Sequence, residues 1–186
     1  EASLEFLFKN LIDKKFFHIG PPRDFTLFKE FKKKKIEDIN EAEYLLCTGL
    51  FDDQSDDIAY YKKIFDGQKS KVLVCTNPDL IVDRGDKREL CAGSVAQVFE
   101  EIGGKVEYFG KPYSNVYNLA ANIKNKKVLC IGDNLKTDIK GANLLNFDAL
   151  LISNGVHKEE IKISKVEEVE KKYKVKIDFI QTYLKW

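Results

Sequence analysis

The sequence has no methionine, one tryptophan and only two histidines among its 186 residues. Neither histidine, His18 or His157, has a partner at metal-ligand spacing, so a zinc site has no support. The four cysteines, Cys47, Cys75, Cys91 and Cys130, form no Cys-x-x-Cys pair. Three of them sit in or at the ends of apolar, strand-like runs, which reads as buried free thiols in a reducing compartment; a cytoplasmic protein is the expectation. No apolar run approaches the roughly 18 residues of a membrane span, and no secretory leader is visible. An excess of one charge is missing as well. Lys plus Arg is 31 against Asp plus Glu 30, a balance that argues for neither nucleic acid nor an anionic membrane as a partner. The basic run Lys32, Lys33, Lys34, Lys35 lacks aromatic interleaving and reads as a solvated helix end at the negative pole of the helix dipole.

What is present is enough apolar material, 44% of residues, for one core or two small ones. Apolar spacing predicts helices over 2–11, 24–31 (with Asp24 as cap), 58–65 and 94–101 (with Ser94 as cap). Short apolar runs predict strands over 16–19, 43–48 and 71–75. The acidic stretch 49–57 lacks the ligand pattern of a calcium loop and reads as solvated. Asn77-Pro78 marks a turn at a strand end, and Gly85 marks a hairpin turn. From Lys105 the pattern alternates: strand 106–109, helix 113–123, strand 128–131, helix 135–145, strand 149–152. A charged helix over 161–174 and an amphipathic tail over 177–186 follow. Alternation of this kind predicts a parallel α/β architecture.

One stretch carries chemistry. The apolar strand 128–131 ends at Gly132, and Asp133 and Asp138 follow, five residues apart, as a helix begins. Carboxylates at the C-terminal edge of a parallel strand lie where open α/β sheets bind ligands, and they suit Mg²⁺, which takes one or two acidic oxygens together with water and phosphate. The plain alternative is a helix cap followed by a solvent-facing Asp. Upstream, Gly110-Lys111-Pro112 places Lys111 at another strand-to-helix corner, where a cation can balance a carboxylate against a phosphoryl group. Alone, Lys111 would be one surface lysine among many; the pairing of the two corners is what informs.

Gly110-Lys111-Pro112 followed by Gly132-Asp133-Asn134-Leu135-Lys136-Thr137-Asp138 resembles motifs III and IV of haloacid dehalogenase-like phosphatases. Cys75-Thr76-Asn77-Pro78-Asp79 and Cys91-Ala92-Gly93-Ser94 resemble cap segments of class IIA of that superfamily, which includes nucleotide, sugar-phosphate, phosphoglycolate and pyridoxal-phosphate phosphatases. Asn154-Gly155-Val156-His157 resembles the segment after its last motif. The resemblance implies an α/β protein: an inserted α/β cap over residues 1 to about 105, and the C-terminal half of a Rossmann-like parallel-sheet core over 106–186. It also implies an N-terminal segment before Glu1 carrying motifs I and II, in keeping with the absent initiator methionine, so that the nucleophilic Asp is expected outside this chain.

The implied activity is Mg²⁺-dependent hydrolysis of a small phosphomonoester through a phosphoaspartyl intermediate, the substrate being a phosphorylated metabolite. Asp133 would bind Mg²⁺. Asp138 would hold a metal-bound water or orient Lys111, and Lys111 would neutralise the phosphoryl oxygens. Asn134 would fix that shell, and Asn77, Asp79 and Ser94 would lie near the substrate's leaving group. A homodimer through the cap stays open. Two other readings stand beside this one: a non-catalytic relative that binds phosphate or metal, and a cysteine-dependent enzyme using Cys75 or Cys91, for which no histidine has a legible pairing.

Overall fold

The computed structural model describes residues 1–120 and 126–185, with backbone alone at 83 and 84. Two compact units emerge, Glu1–Gly110 and Lys111–Trp186.

The first unit is built on five parallel strands: β1 (Phe16–Ile19), β2 (Lys35–Ile36), β3 (Tyr44–Cys47), β4 (Val72–Cys75) and β7 (Lys105–Tyr108). Their order across the sheet is β2-β1-β3-β4-β7. Register is fixed by Phe16 opposite Tyr44, Tyr44 opposite Val72, and Val72 opposite Lys105. The central strands read as continuous apolar runs because both faces of the sheet are covered. Side chains alternate between faces. Leu45, Cys47, Leu73 and Cys75 meet Tyr61 and Phe65 from the region of α2 (Ile58–Ile64), and Val95 and Phe99 of α3 (Ala92–Glu101). Tyr44, Leu46 and Val74 meet Leu7 of α1 (Ala2–Asn10), Phe28 and Phe31. Each such fully buried side chain contributes about 1.5–3 kcal/mol of transfer free energy. Between β4 and α3 an antiparallel hairpin joins β5 (Ile81–Arg84) to β6 (Lys87–Leu90), with Gly85 at φ 60° as the turn requires.

Two local expectations give way here. The helix over 24–31 is a 3₁₀ stretch, Pro22–Lys34, broken at Phe28 (φ −115°, ψ 18°). A 3₁₀ turn aligns residues three apart, and Phe25, Phe28 and Phe31 are spaced by three, so this geometry puts all three on one side. Asp24 lies in its first turn and is not its cap. Cys91 takes the N-cap position of α3, while Ser94 sits inside the helix and donates its hydroxyl to the Leu80 carbonyl at 2.6 Å.

The second unit has a parallel three-stranded sheet in the order β10-β9-β8, from β8 (Leu129–Gly132), β9 (Asp148–Ile152) and β10 (Phe179–Gln181). Leu135, Ile139 and Ala142 pack on Ala149, Leu151 and Val169. Helix α4 (Ser114–Ala120) covers part of the expected 113–123, of which 121–123 lie outside the described residues. The expected helix over 135–145 opens with a π turn, Leu135–Ile139, before α5 (Lys140–Leu144). The cause is that the Asn134 carbonyl accepts from both Asp138 N–H (2.9 Å) and Ile139 N–H (3.2 Å). The expected helix over 161–174 is two helices, α6 (Lys158–Ile163) and α7 (Val166–Tyr173). Ser164 and Lys165 between them are extended, and the Lys165 N–H meets the Glu168 carboxylate at 3.4 Å, capping α7. The tail over 177–186 supplies β10, with Trp186 outside the described residues. No helix among the described residues is long and apolar enough to cross a membrane.

Candidate active site

The residues with legible chemistry in the second unit converge on the C-terminal end of β8. Asn134 begins the π turn, its Oδ1 accepting from Lys136 N–H at 2.9 Å. The turn brings Asp138 back beneath the strand end, buried to 7% exposure. Only glycine at position 132 permits this approach, because a Cβ there would stand 2.2 Å from Asp138 Cγ. Asp138 Oδ2 accepts from Asn134 N–H at 3.1 Å, and Oδ1 pairs with the Lys111 ammonium. Lys111 is itself half exposed. The pair therefore presents a half-exposed cation backed by a buried carboxylate. A fixed positive charge of that kind stabilises an anion without having to reorganise.

Asp133 is held differently. Its Oδ2 accepts from Val156 N–H at 3.1 Å. Gly155 lets that loop close in, since a Cβ there would lie 2.1 Å from the same oxygen. Asp133 Oδ1 has no hydrogen-bond partner among the described residues. The loop is anchored from behind: His157 packs edge-on to Tyr173 (ring centroids 5.0 Å apart), with Nδ1 3.7 Å from Glu160. Glu160 in turn accepts from Tyr173 Oη at 2.7 Å and pairs with Lys172. Burial lowers the His157 pKa. On the other flank Tyr117 of α4 touches α5, where a Cβ at Gly141 would meet Tyr117 Oη at 2.0 Å. Burial foremost, then the charges of Cys130 and Asp138, push the Tyr117 phenol up to about 12.

This donor set fits one kind of metal. No group of three His, Cys, Asp or Glu side chains able to hold a metal occurs among the described residues. A single carboxylate with one open oxygen, Asp133, suits Mg²⁺, which keeps water and substrate oxygens as most of its ligands, and does not suit zinc. Both Asp138 oxygens are engaged, Oδ1 by Lys111 and Oδ2 by Asn134 N–H.

The other residues singled out by sequence lie together in the first unit. Asn77 Oδ1 accepts from Asp79 N–H at 3.1 Å, and the Asp79 carbonyl accepts from Gly93 N–H at 3.1 Å. With the Ser94–Leu80 bond, these contacts fasten the turn after β4 to the start of α3. Cys75 is fully buried, donates to the Asn77 carbonyl at 3.3 Å, and has its thiol pushed up to about 12 by burial. Burial and a protonated thiol both work against a nucleophilic role for Cys75. Sequence reasoning missed Val156 N–H and Gly155 as the clamp on Asp133. Their only signal was the Gly-containing turn after a strand, which motif resemblance flagged without a role.

A HAD-hydrolase-like family model matches residues 108–184. A haloacid dehalogenase-like hydrolase from Brucella suis 1330 is 30% identical with a TM-score of 0.74; the match covers 84% of this chain and 60% of that one. Over residues 108–184 the chain is similar to that family. The p-nitrophenyl phosphatase of Archaeoglobus fulgidus shares the fold at 20% identity and TM-score 0.68, over 97% of this chain and 69% of its own. The 4-nitrophenylphosphatase of Thermotoga maritima does so at 21% and 0.65, over 97% and 67%. The chain spans about 60% of the length of the Brucella protein. None of the curated proteins matches this chain.

Proposed function

We propose that this chain supplies the electrostatic half of a Mg²⁺-dependent phosphomonoesterase site. The observation that carries the reading is the Lys111–Asp138 pair at the end of β8, beside an Asp133 with one carboxylate oxygen open. Phosphoryl transfer asks a protein mainly for positioning and charge balance. Lys111, steered by Asp138, binds the phosphoryl oxygens of the ester. Asp133, steered by Val156 N–H, would hold the Mg²⁺, which when bound neutralises charge on the phosphoryl group. Asn134 keeps Asp138 in place through its backbone N–H. The attacking carboxylate of this reading, on which a phosphoaspartyl group would form, comes from outside the chain, and the unit Glu1–Gly110 serves as the substrate-selecting cap. The haloacid dehalogenase-like family match over 108–184 supports the reaction class.

The test is hydrolysis of p-nitrophenyl phosphate by the intact protein with and without Mg²⁺. Activity should require Mg²⁺, and Asp133→Asn should abolish it. Full turnover by Asp133→Asn would remove Asp133 from the metal site. Mg²⁺ binding without turnover in the wild type would favour a non-catalytic binding role.

A further inference from the structure

The clamp on Asp133 is thin. A single hydrogen bond, from Val156 N–H to Asp133 Oδ2 at 3.1 Å, joins the loop to the carboxylate. Gly155 lets the loop approach but brings no side chain to hold it there. Backbone with so few contacts opens locally unless its flanks are anchored. The upstream flank is tied to the tail: Ser153 N–H donates to the Gln181 carbonyl at 2.8 Å, and Asn154 N–H to the Thr182 carbonyl at 3.2 Å. The downstream flank is His157, the N-cap residue of α6, whose carbonyl accepts from Ile161 N–H at 3.0 Å. On that side the anchor is the imidazole.

A histidine next to a metal clamp invites a reading as ligand or proton donor, and its surroundings oppose both. The His157 side chain is only 10% exposed. Nε2 is buried and has no hydrogen-bond partner among the described residues. Nδ1 lies 3.7 Å from Glu160, beyond hydrogen-bond length. What the ring does make is an edge contact with Tyr173, centroids 5.0 Å apart and planes at 73°, an arrangement that aromatic quadrupoles favour. Tyr173 is fixed in its turn. Its hydroxyl donates to Glu160 at 2.7 Å, and Glu160 pairs with Lys172. Glu160 belongs to α6 and Tyr173 to α7, so this bond ties α7 to the helix that His157 caps. We infer, on the reading that Asp133 holds Mg²⁺, that His157 is a positioning residue: its ring, braced against Tyr173, keeps Val156 N–H on Asp133 and so sets the affinity of that carboxylate for the ion. The shape of the ring does this, and its nitrogens do not, so a phenyl ring should serve in its place.

Calorimetric Mg²⁺ titration of the intact protein, together with amide hydrogen exchange at Val156 followed by NMR, tests this. His157→Ala should weaken Mg²⁺ binding about tenfold and speed exchange at Val156, with exchange at Leu151 in the middle of β9 little changed. His157→Phe should restore both. Tyr173→Leu keeps an apolar side chain against the core of the second unit and removes the ring edge; it should weaken Mg²⁺ binding in the same direction, and it decides the matter should His157→Ala fail to fold. Asp133→Asn separates the inference from the reading beneath it. Loss of Mg²⁺ binding in Asp133→Asn, with wild-type affinity in His157→Ala and Tyr173→Leu, overturns the inference alone. Wild-type affinity in Asp133→Asn overturns the reading of Asp133 and the inference with it. Binding by His157→Phe as weak as that of His157→Ala would give the work to the ring nitrogens, and unchanged exchange at Val156 would show that His157 does not hold the loop; either result contradicts the inference.

Discussion

The two units solve different problems. In the first, all four residues of β3 are buried and the sheet is covered on both faces. In the second, all three residues of β10 are exposed, Phe179 by 53%, and Leu129 of β8 by 47%. The first unit is held chiefly by apolar closure. The second concentrates its specificity at one strand end, where two glycines admit two carboxylates and backbone N–H groups hold them. Packing and chemistry are thus separated along the chain, and substitutions should sort by unit.

The largest effect should come from the closed core. Leu45→Ala, at a fully buried central-strand position, should cost about 2–5 kcal/mol in denaturant unfolding. Leu144→Ala in the second unit, at 61% exposure, should stay within about 0.5 kcal/mol. Equal costs would break the comparison. Next comes Gly155→Ala, whose Cβ would overlap Asp133. About 1–3 kcal/mol of destabilisation is expected from that overpacking, with weaker Mg²⁺ binding in calorimetry. An unperturbed protein with wild-type Mg²⁺ affinity would show that the loop does not clamp Asp133.

Acid should act on the first unit through His18. Burial, then the charge of Lys35, lowers its pKa from 6.5 to about 4. Between those values the unfolded chain binds more protons than the folded one. Stability therefore falls as pH drops from 6.5 toward 4, by at most about 1.4 kcal/mol per pH unit from this group. His18 adds no slope above that window. His18→Gln should flatten the profile there, and an unchanged slope would show that His18 is not buried neutral. Lys111→Met should cost less stability than the core substitution and more than Leu144→Ala. Its partner Asp138 is buried, but Lys111 is half exposed and water can take its place, so about 1 kcal/mol is expected. A loss several times larger would make Lys111 a structural residue.

Much of this was legible in the sequence. The alternation after Lys105 gave the parallel pattern, because that feature resides in side-chain type and period, and two residues singled out in the sequence, Lys111 and Asp138, pair in the structure. The π turn was hidden, since it depends on which N–H shares the Asn134 carbonyl, a choice that leaves no mark on residue type. The clamp on Asp133 was hidden for the same reason: its donor is the backbone of Val156. Ser94 has the composition of a cap, yet tertiary packing turned its hydroxyl to Leu80. The triplet spacing of Phe25, Phe28 and Phe31 fits a 3₁₀ stretch as well as a helix, and the periodicity could not choose between them.

The account rests on Lys111 as a charge aimed at phosphate. The most direct test is steady-state hydrolysis of p-nitrophenyl phosphate at saturating Mg²⁺ by the intact protein and by Lys111→Met, with circular dichroism on both. The expected result is an unchanged fold and a kcat lower by about a hundredfold or more. An unchanged kcat with the fold intact would contradict the account.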